Sequence, residues 1–266
     1  MNFLLYFLSL TLSTLGVLFL CGLTVHLISR LFARLLGSGS GKVFDLTSVI
    51  GTPIHELGHA AMCKLFCHEI TAIRLWNPRP EKGVYGFVEH SYSKRNLWAR
   101  LGNLFIGMGP LFSGLGVTVL TLWLCMPSLW SDYLAHSSAL AVTDPLPFAE
   151  LIEGVFLLIG GLPKTVAADP LRTLLGLVIV LPVSLHISMS PQDLKGSLSS
   201  LPIVIGILAI LSLATFWTPA RTPILSGLML FDLRLLSLFA LVIAFSLVWL
   251  ILAALLRGIK LLIQCF

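Results

Sequence analysis

Read for hydropathy alone, the chain alternates long apolar runs with short polar stretches, and the runs have bilayer length. A membrane-crossing helix needs about 20 mostly apolar residues. Six stretches meet that requirement, roughly 3–29, 43–66, 98–126, 170–190, 197–217 and 226–256. They predict an all-α polytopic membrane protein of about six transmembrane helices, built as a single domain over 1–266. The first run has no basic residues ahead of it, is too long for the apolar core of a secretion signal and lacks a small-residue cleavage site. It is therefore expected to persist as a span.

The period changes between the second and third runs. ITAIRLW (70–76) and VYGFVEHSY (84–92) are rich in β-branched and aromatic residues, and NPRPEKG (77–83) supplies turn chemistry between them. A small β-hairpin on the membrane surface is the expectation. GSGSGK (37–42) reads as a short flexible connector. In the third run Gly102, Gly107, Gly109, Gly114 and Gly116 let helices approach closely in lipid, and Pro110 predicts a kink. PFAELIEGVFLLIGGL (147–162) is short for a span. It reads as re-entrant, as a surface helix, or as a seventh span that would invert everything after it.

Composition narrows the class further. Only 11% of residues are charged, against about 25% in soluble domains, so no large soluble domain fits. The net charge of +5 is spread beside the spans without a long basic run, which marks membrane sidedness rather than a nucleic-acid partner. The stretch 67–97 carries Arg74, Arg79, Lys82, Lys94 and Arg95, whereas 127–169 carries Lys164 alone beside Asp132, Asp144, Glu150, Glu153 and Asp169. The first is expected to be cytoplasmic, the second external and both termini inside, in a multi-pass cell-membrane protein. Arg30, Arg34 and Lys42, in a stretch then placed outside, argue against that orientation. Cys21, Cys63, Cys67, Cys125 and Cys265 follow no disulfide or zinc-ribbon spacing.

The chemistry is concentrated in GTPIHELGHA (51–60). Helical residues four apart share a face, so His55 and His59 can converge on one cation at bond lengths of about 2 Å. Glu56 projects at an adjacent angle, where a carboxylate can take a proton from metal-bound water. Ionisable residues inside a bilayer cost about 2.5–3.5 kcal/mol on insertion scales and mark functional sites. The bland alternative is a buried polar network between spans. Thr52 as N-cap and Pro53 at the first helical position predict a break in the second span just before the ligands.

A catalytic zinc site needs a third protein ligand and an open position. SLHISMSPQDLKG (184–196) offers two candidates. Ser190 and Pro191 announce a helix whose first turn holds Asp193, and His186 precedes it. Cys63 and Cys67 continue the His55–His59 stripe, but Cys67 lies about 18 Å along the axis from His55, which favours packing. Asp232 and Arg234 read as a paired or interfacial feature.

GTPIHELGHA in one span, a surface hairpin after it, GMGPLFSG in the next and an aspartate before a glycine in a later one together resemble the site-2-protease family of intramembrane zinc metalloproteases. The resemblance covers about 43–217, leaving 3–29 and 226–256 as peripheral spans. It implies Zn2+ held by His55, His59 and Asp193, Glu56 as general base, Gly109 and Pro110 as the intermediate motif, and membrane-spanning or membrane-proximal protein or peptide substrates. The family's aspartate is followed directly by glycine, whereas Asp193 is followed by Leu194, Lys195 and Gly196. The upstream asparagine of the family motif is missing, and His186 in that neighbourhood is the expected donor to a developing oxyanion. No PDZ-like insertion is visible. Two other readings are a metal-ion transporter, which would spread polar residues through several spans, and a catalytically silent metal-binding membrane protein.

Overall fold

Lipid-facing and protein-facing stripes can be told apart on most helices by burial alone. The computed structural model describes residues 2–80, 83–141 and 147–264; Lys82, Asp144 and Cys265 lie outside them. Helices α1 (Phe3–Thr11) and α2 (Val17–Leu36) are joined by a π-helical turn at Leu12–Gly16. The remaining helices are α3 (Ser40–Leu65), α4 (Leu97–Gly107), α5 (Gly109–Cys125), α6 (Pro127–Ala139), α7 (Phe148–Ala168), α8 (Pro170–His186), α9 (Pro191–Leu198), α10 (Leu201–Thr215) and α11 (Arg221–Gln264). Large apolar side chains such as Leu171 (81% exposed) and Ile210 (68%) cover the outside. Apolar surface that extensive on a water-soluble protein would be an association site; together with the long apolar helices it suits a membrane protein.

Among the described residues, three helical stretches are long and apolar enough to cross a membrane, Phe3–Leu65, Phe148–Ala168 and Arg221–Lys260. Two bent pairs, α4 with α5 (55°) and α8 with α9 (62°), raise the number to five when each is one span. The first stretch holds two of the six expected runs, 3–29 and 43–66, with the reversal inside the expected 37–42 connector; the differences lie in the fifth run and at 147–162. The first stretch folds back at Gly37, whose φ of 59° no helical residue adopts, so that Phe32 and Phe44 meet edge to face at 5.8 Å. An unbroken helix would hold those residues about 18 Å apart. The fifth expected run is divided between α9 and α10, and the 15 residues of α10 are short for a bilayer. The segment 147–162, read as re-entrant, as a surface helix or as a seventh span, lies in α7, whose 21 residues are long enough to cross.

Two further expectations change. The connector at 37–42 shrinks to one 3-10 turn over Gly37–Gly39, and Ser40 already begins α3. α3 also runs through Pro53 without the expected break. Breaking it would expose backbone groups in an apolar setting, and Gly51, one turn before the histidines, is pressed against the His186 ring of α8.

The kink expected near Pro110 falls at Met108, between α4 and α5. The hairpin forms between β1 (Glu69–Arg74) and β2 (Phe87–Ser91), antiparallel, with Ile70 opposite His90 and an irregularity between Ile70 and Ala72. Asp232 and Arg234 do not pair. Residues two apart face different sides of a helix, and Arg234 donates instead to the carbonyls of Ser137 and Ser138 at the end of α6. Cys63 is buried, and Cys67 lies past the end of α3 with a φ of 58°.

α3 is held by close backbone approach. A β-carbon added to Gly58 would lie 2.5 Å from the Gly109 carbonyl oxygen, and one added to Gly109 would lie 2.5 Å from the Gly58 carbonyl oxygen. Small residues at a helix contact permit this approach, and it brings the start of α5 against the His59 turn. Gly58→Ala is therefore expected to destabilise the protein by about 1–3 kcal/mol through overpacking. Gly116→Ala, where nothing lies within 4 Å, is expected to be neutral or stabilising by up to about 1 kcal/mol. Thermal unfolding of both variants in detergent micelles checks the contrast.

Candidate metal centre

α3 presents His55 and His59 one turn apart, with ring centroids 4.9 Å apart and planes at 72°. Each ring is fixed by a backbone carbonyl from another element. His59 Nδ1 donates to the Ile106 carbonyl at 2.7 Å, and His55 Nδ1 donates to the His186 carbonyl at 2.6 Å. Both acceptors are freed by the local sequence. Ile106 would normally receive the N–H four residues on, but that residue is Pro110, which has none. α8 ends at His186, and the N–H four residues on, that of Ser190, is given to Asp193 Oδ2 at 2.7 Å.

Carbonyl oxygens only accept, so both Nδ1 atoms carry hydrogens and neutral rings turn their Nε2 lone pairs inward. Those Nε2 atoms are 3.2 Å apart. Two lone pairs face each other there unless a proton or a cation lies between them. Ligands on a tetrahedral ion with bonds of about 2.0–2.1 Å stand about 3.3 Å apart, so the spacing fits a shared metal.

Asp193 completes the group from the first turn of α9. Ser190 Oγ accepts its backbone N–H at 3.2 Å while its Oδ2 accepts the Ser190 N–H, a reciprocal cap that fixes the carboxylate. Its Oδ1 lies 3.2 Å from His59 Nε2, and its Oδ2 lies 3.8 Å from His55 Nε2. Gly107 lets α9 approach this closely, because a β-carbon there would collide with the Asp193 carbonyl and Ser197 Oγ. Ligand atoms of His55, His59 and Asp193 all fall within 4.8 Å of one another, and the three could hold a metal ion.

The His186 ring is not in this group. Its Nε2 is 3.0 Å from Thr47 Oγ1, and the ring meets Phe44 edge to face at 5.8 Å. What His186 brings to the histidines is its main-chain carbonyl. Thr52, expected to cap a helix, instead has a buried hydroxyl without a partner.

Glu56 is buried beside His55 and lines a cavity of about 590 Å³ shared with the three candidate ligands. Among the described residues, no hydrogen bond takes up its carboxylate. The segment before β2 covers it: a β-carbon on Gly86 would lie 2.8 Å from both Glu56 Cγ and Thr52 Cγ2. The connection between β1 and β2 is tied to the N-terminal half of α3, since Tyr85 Oη donates to Asp45 at 2.5 Å and Trp76 Nε1 donates to Ser48 Oγ at 3.0 Å. Burial and the Asp45 carboxylate push the Tyr85 phenol up to about 12, so it stays a donor at neutral pH.

The cavity also has walls that the sequence reading missed, chiefly His90 from β2 and Asn103 from α4. Neither sits in a motif, and only the hairpin register turns His90 inward. No protein-family model matches the chain, and no curated protein and no solved structure matches it either.

Asp193→Ala is expected to weaken metal retention by more than the roughly 10–100-fold that losing an outer hydrogen-bond partner costs. His186→Phe, which leaves the main-chain carbonyl in place, should retain metal. Elemental analysis of the purified, dialysed variants separates the two.

Proposed function

We propose that the protein is a zinc-dependent intramembrane endopeptidase acting on membrane-spanning or membrane-proximal segments. One observation carries this reading: two imidazole Nε2 atoms and a capped carboxylate converge on one point, with the unpaired carboxylate of Glu56 beside them in a cavity framed by apolar helices. Two imidazoles with one carboxylate is a ligand set that suits zinc and leaves a fourth position open. Zinc bound there supplies Lewis acidity toward a peptide carbonyl and makes water a stronger acid.

The protein's own groups do the rest. The Ile106 and His186 carbonyls hold both imidazoles in the tautomer that binds metal through Nε2. Glu56 takes the proton of the attacking water and passes it to the leaving amine as the C–N bond breaks. The cover at Gly86 restricts water around that proton transfer. An amide inside an intact helix is shielded and hydrogen-bonded, so the substrate segment must unwind to enter.

Among the described residues, His55, Glu56, His59 and Asp193 gather in one cavity while the other buried acid, Asp232, stands apart on α11, a concentration that favours hydrolysis over transport. Glu56→Gln is expected to keep zinc and to lose at least about 100-fold in peptide cleavage, the lower bound for positioned acid–base groups. Proteoliposomes holding the wild type and this variant, assayed for cleavage of a single-pass reporter and for zinc flux, test the assignment. Undiminished cleavage by the variant contradicts it, as does zinc flux by the wild type without cleavage.

A further inference from the structure

The metal-centre chemistry leaves one titratable pair unused, His68 and His90. β2 alternates, so that exposed Glu89 points away while Val88 and His90 line the cavity. His68 Nε2 donates to the Ala99 carbonyl at 2.8 Å. In the neutral ring, His68 Nδ1 is then a bare acceptor, and it stands 2.9 Å from His90 Nδ1. The hydrogen between them therefore belongs to His90 Nδ1, and His90 Nε2 carries a lone pair. Tyr92 stacks on His68 with centroids 4.5 Å apart, which braces the pair. Among the described residues, no donor occupies His90 Nε2.

We propose that His90 contacts the substrate, its Nε2 accepting a hydrogen bond from a backbone N–H of the peptide in the cavity. The inference rests on the peptidase reading. The lone pairs of His55, His59 and Asp193 are taken up by the metal and by the Ser190 N–H, and Glu56 is engaged by the water it deprotonates, so an amide N–H needs an acceptor elsewhere on the cavity wall. A peptide whose carbonyl is turned toward the metal brings N–H groups into the same enclosed space, and an unpaired buried N–H is costly. His90 offers that acceptor from the β2 wall. Burial, then His68 and His59, hold its pKa below the ordinary histidine value, so the lone pair persists at neutral pH. The consequence is specificity: a proline or N-methyl residue at the contacted position has no N–H to give.

The test uses two non-hydrolysable probes on the zinc-loaded full chain in detergent: acetohydroxamate, which reaches the metal alone, and a tripeptidyl hydroxamate with its three single N-methyl analogues. His90→Phe, which keeps a ring of similar shape, is expected to bind acetohydroxamate as the wild type does and the tripeptidyl probe about 3- to 10-fold more weakly. One N-methyl analogue should lose a similar factor on the wild type and none on His90→Phe. His90→Gln, which restores an acceptor, should recover affinity and remains informative should the Phe variant fail to fold. Equal affinity of the variant and the wild type for every peptidyl probe would overturn the inference, as would loss of acetohydroxamate binding in both variants. Failure of acetohydroxamate to bind the wild type would instead overturn the peptidase reading on which it rests.

Discussion

Two backbone carbonyls govern the architecture of the site. Ile106 and His186 each sit where a helix stops providing an N–H partner, one because Pro110 lacks the hydrogen and the other because α8 ends. Each turns its oxygen on a histidine of α3, fixing both the rotamer and the tautomer. Without them, His55 and His59 would be two imidazoles on an apolar helix, free to rotate and to pair with each other. With them, the inward lone pairs stand 3.2 Å apart, the spacing that ligands of one shared ion take. The two helix interruptions, which would be weak points in a bundle, are thus the source of its organisation.

Close packing carries those carbonyls to the right place. Gly58 against Gly109, Gly51 against the His186 ring and Gly107 against Asp193 bring α5, α8 and α9 onto α3 at distances no side chain would allow. In lipid, helix association draws on packing and hydrogen bonds rather than on expulsion of water, so these contacts matter more than the apolar clusters around them. Ser113 adds a hydrogen bond to the Ile54 carbonyl, and Ser197 adds one to Leu104, at the same junctions. The hairpin closes the remaining side through Gly86 and the Tyr85 and Trp76 links to α3.

Much of this was legible in the residues. Histidines four apart on one face, a helix start at Ser190–Pro191 that holds Asp193 in its first turn, and a turn-rich stretch between two β-branched runs are local patterns, and each appears where its local physics places it. What was not legible depends on contacts remote in sequence. Pro53 looked like a helix start because its own turn favours one, yet packing of Gly51 on α8 keeps α3 whole. The choice between His186 and Asp193 turned on ring direction, which is set by Thr47, 139 residues away. The connector at 37–42 marks the reversal at Gly37, whereas the acids at the start of α7 left three readings of 147–162 open that local pattern could not separate. His90 carried no signal at all, because a hairpin turns a residue inward or outward according to register.

The central claim is that two imidazoles and the Asp193 carboxylate share one ion at the base of the cavity. Zinc K-edge X-ray absorption of the metal-loaded protein tests it most directly. The account predicts a first shell of nitrogen and oxygen alone at about 2.0–2.1 Å, with the multiple scattering of two imidazole rings, one of which is lost in His59→Ala. A sulfur shell at about 2.3 Å, which would bring in a cysteine such as Cys63, or a third ring retained in Asp193→Ala, would contradict it.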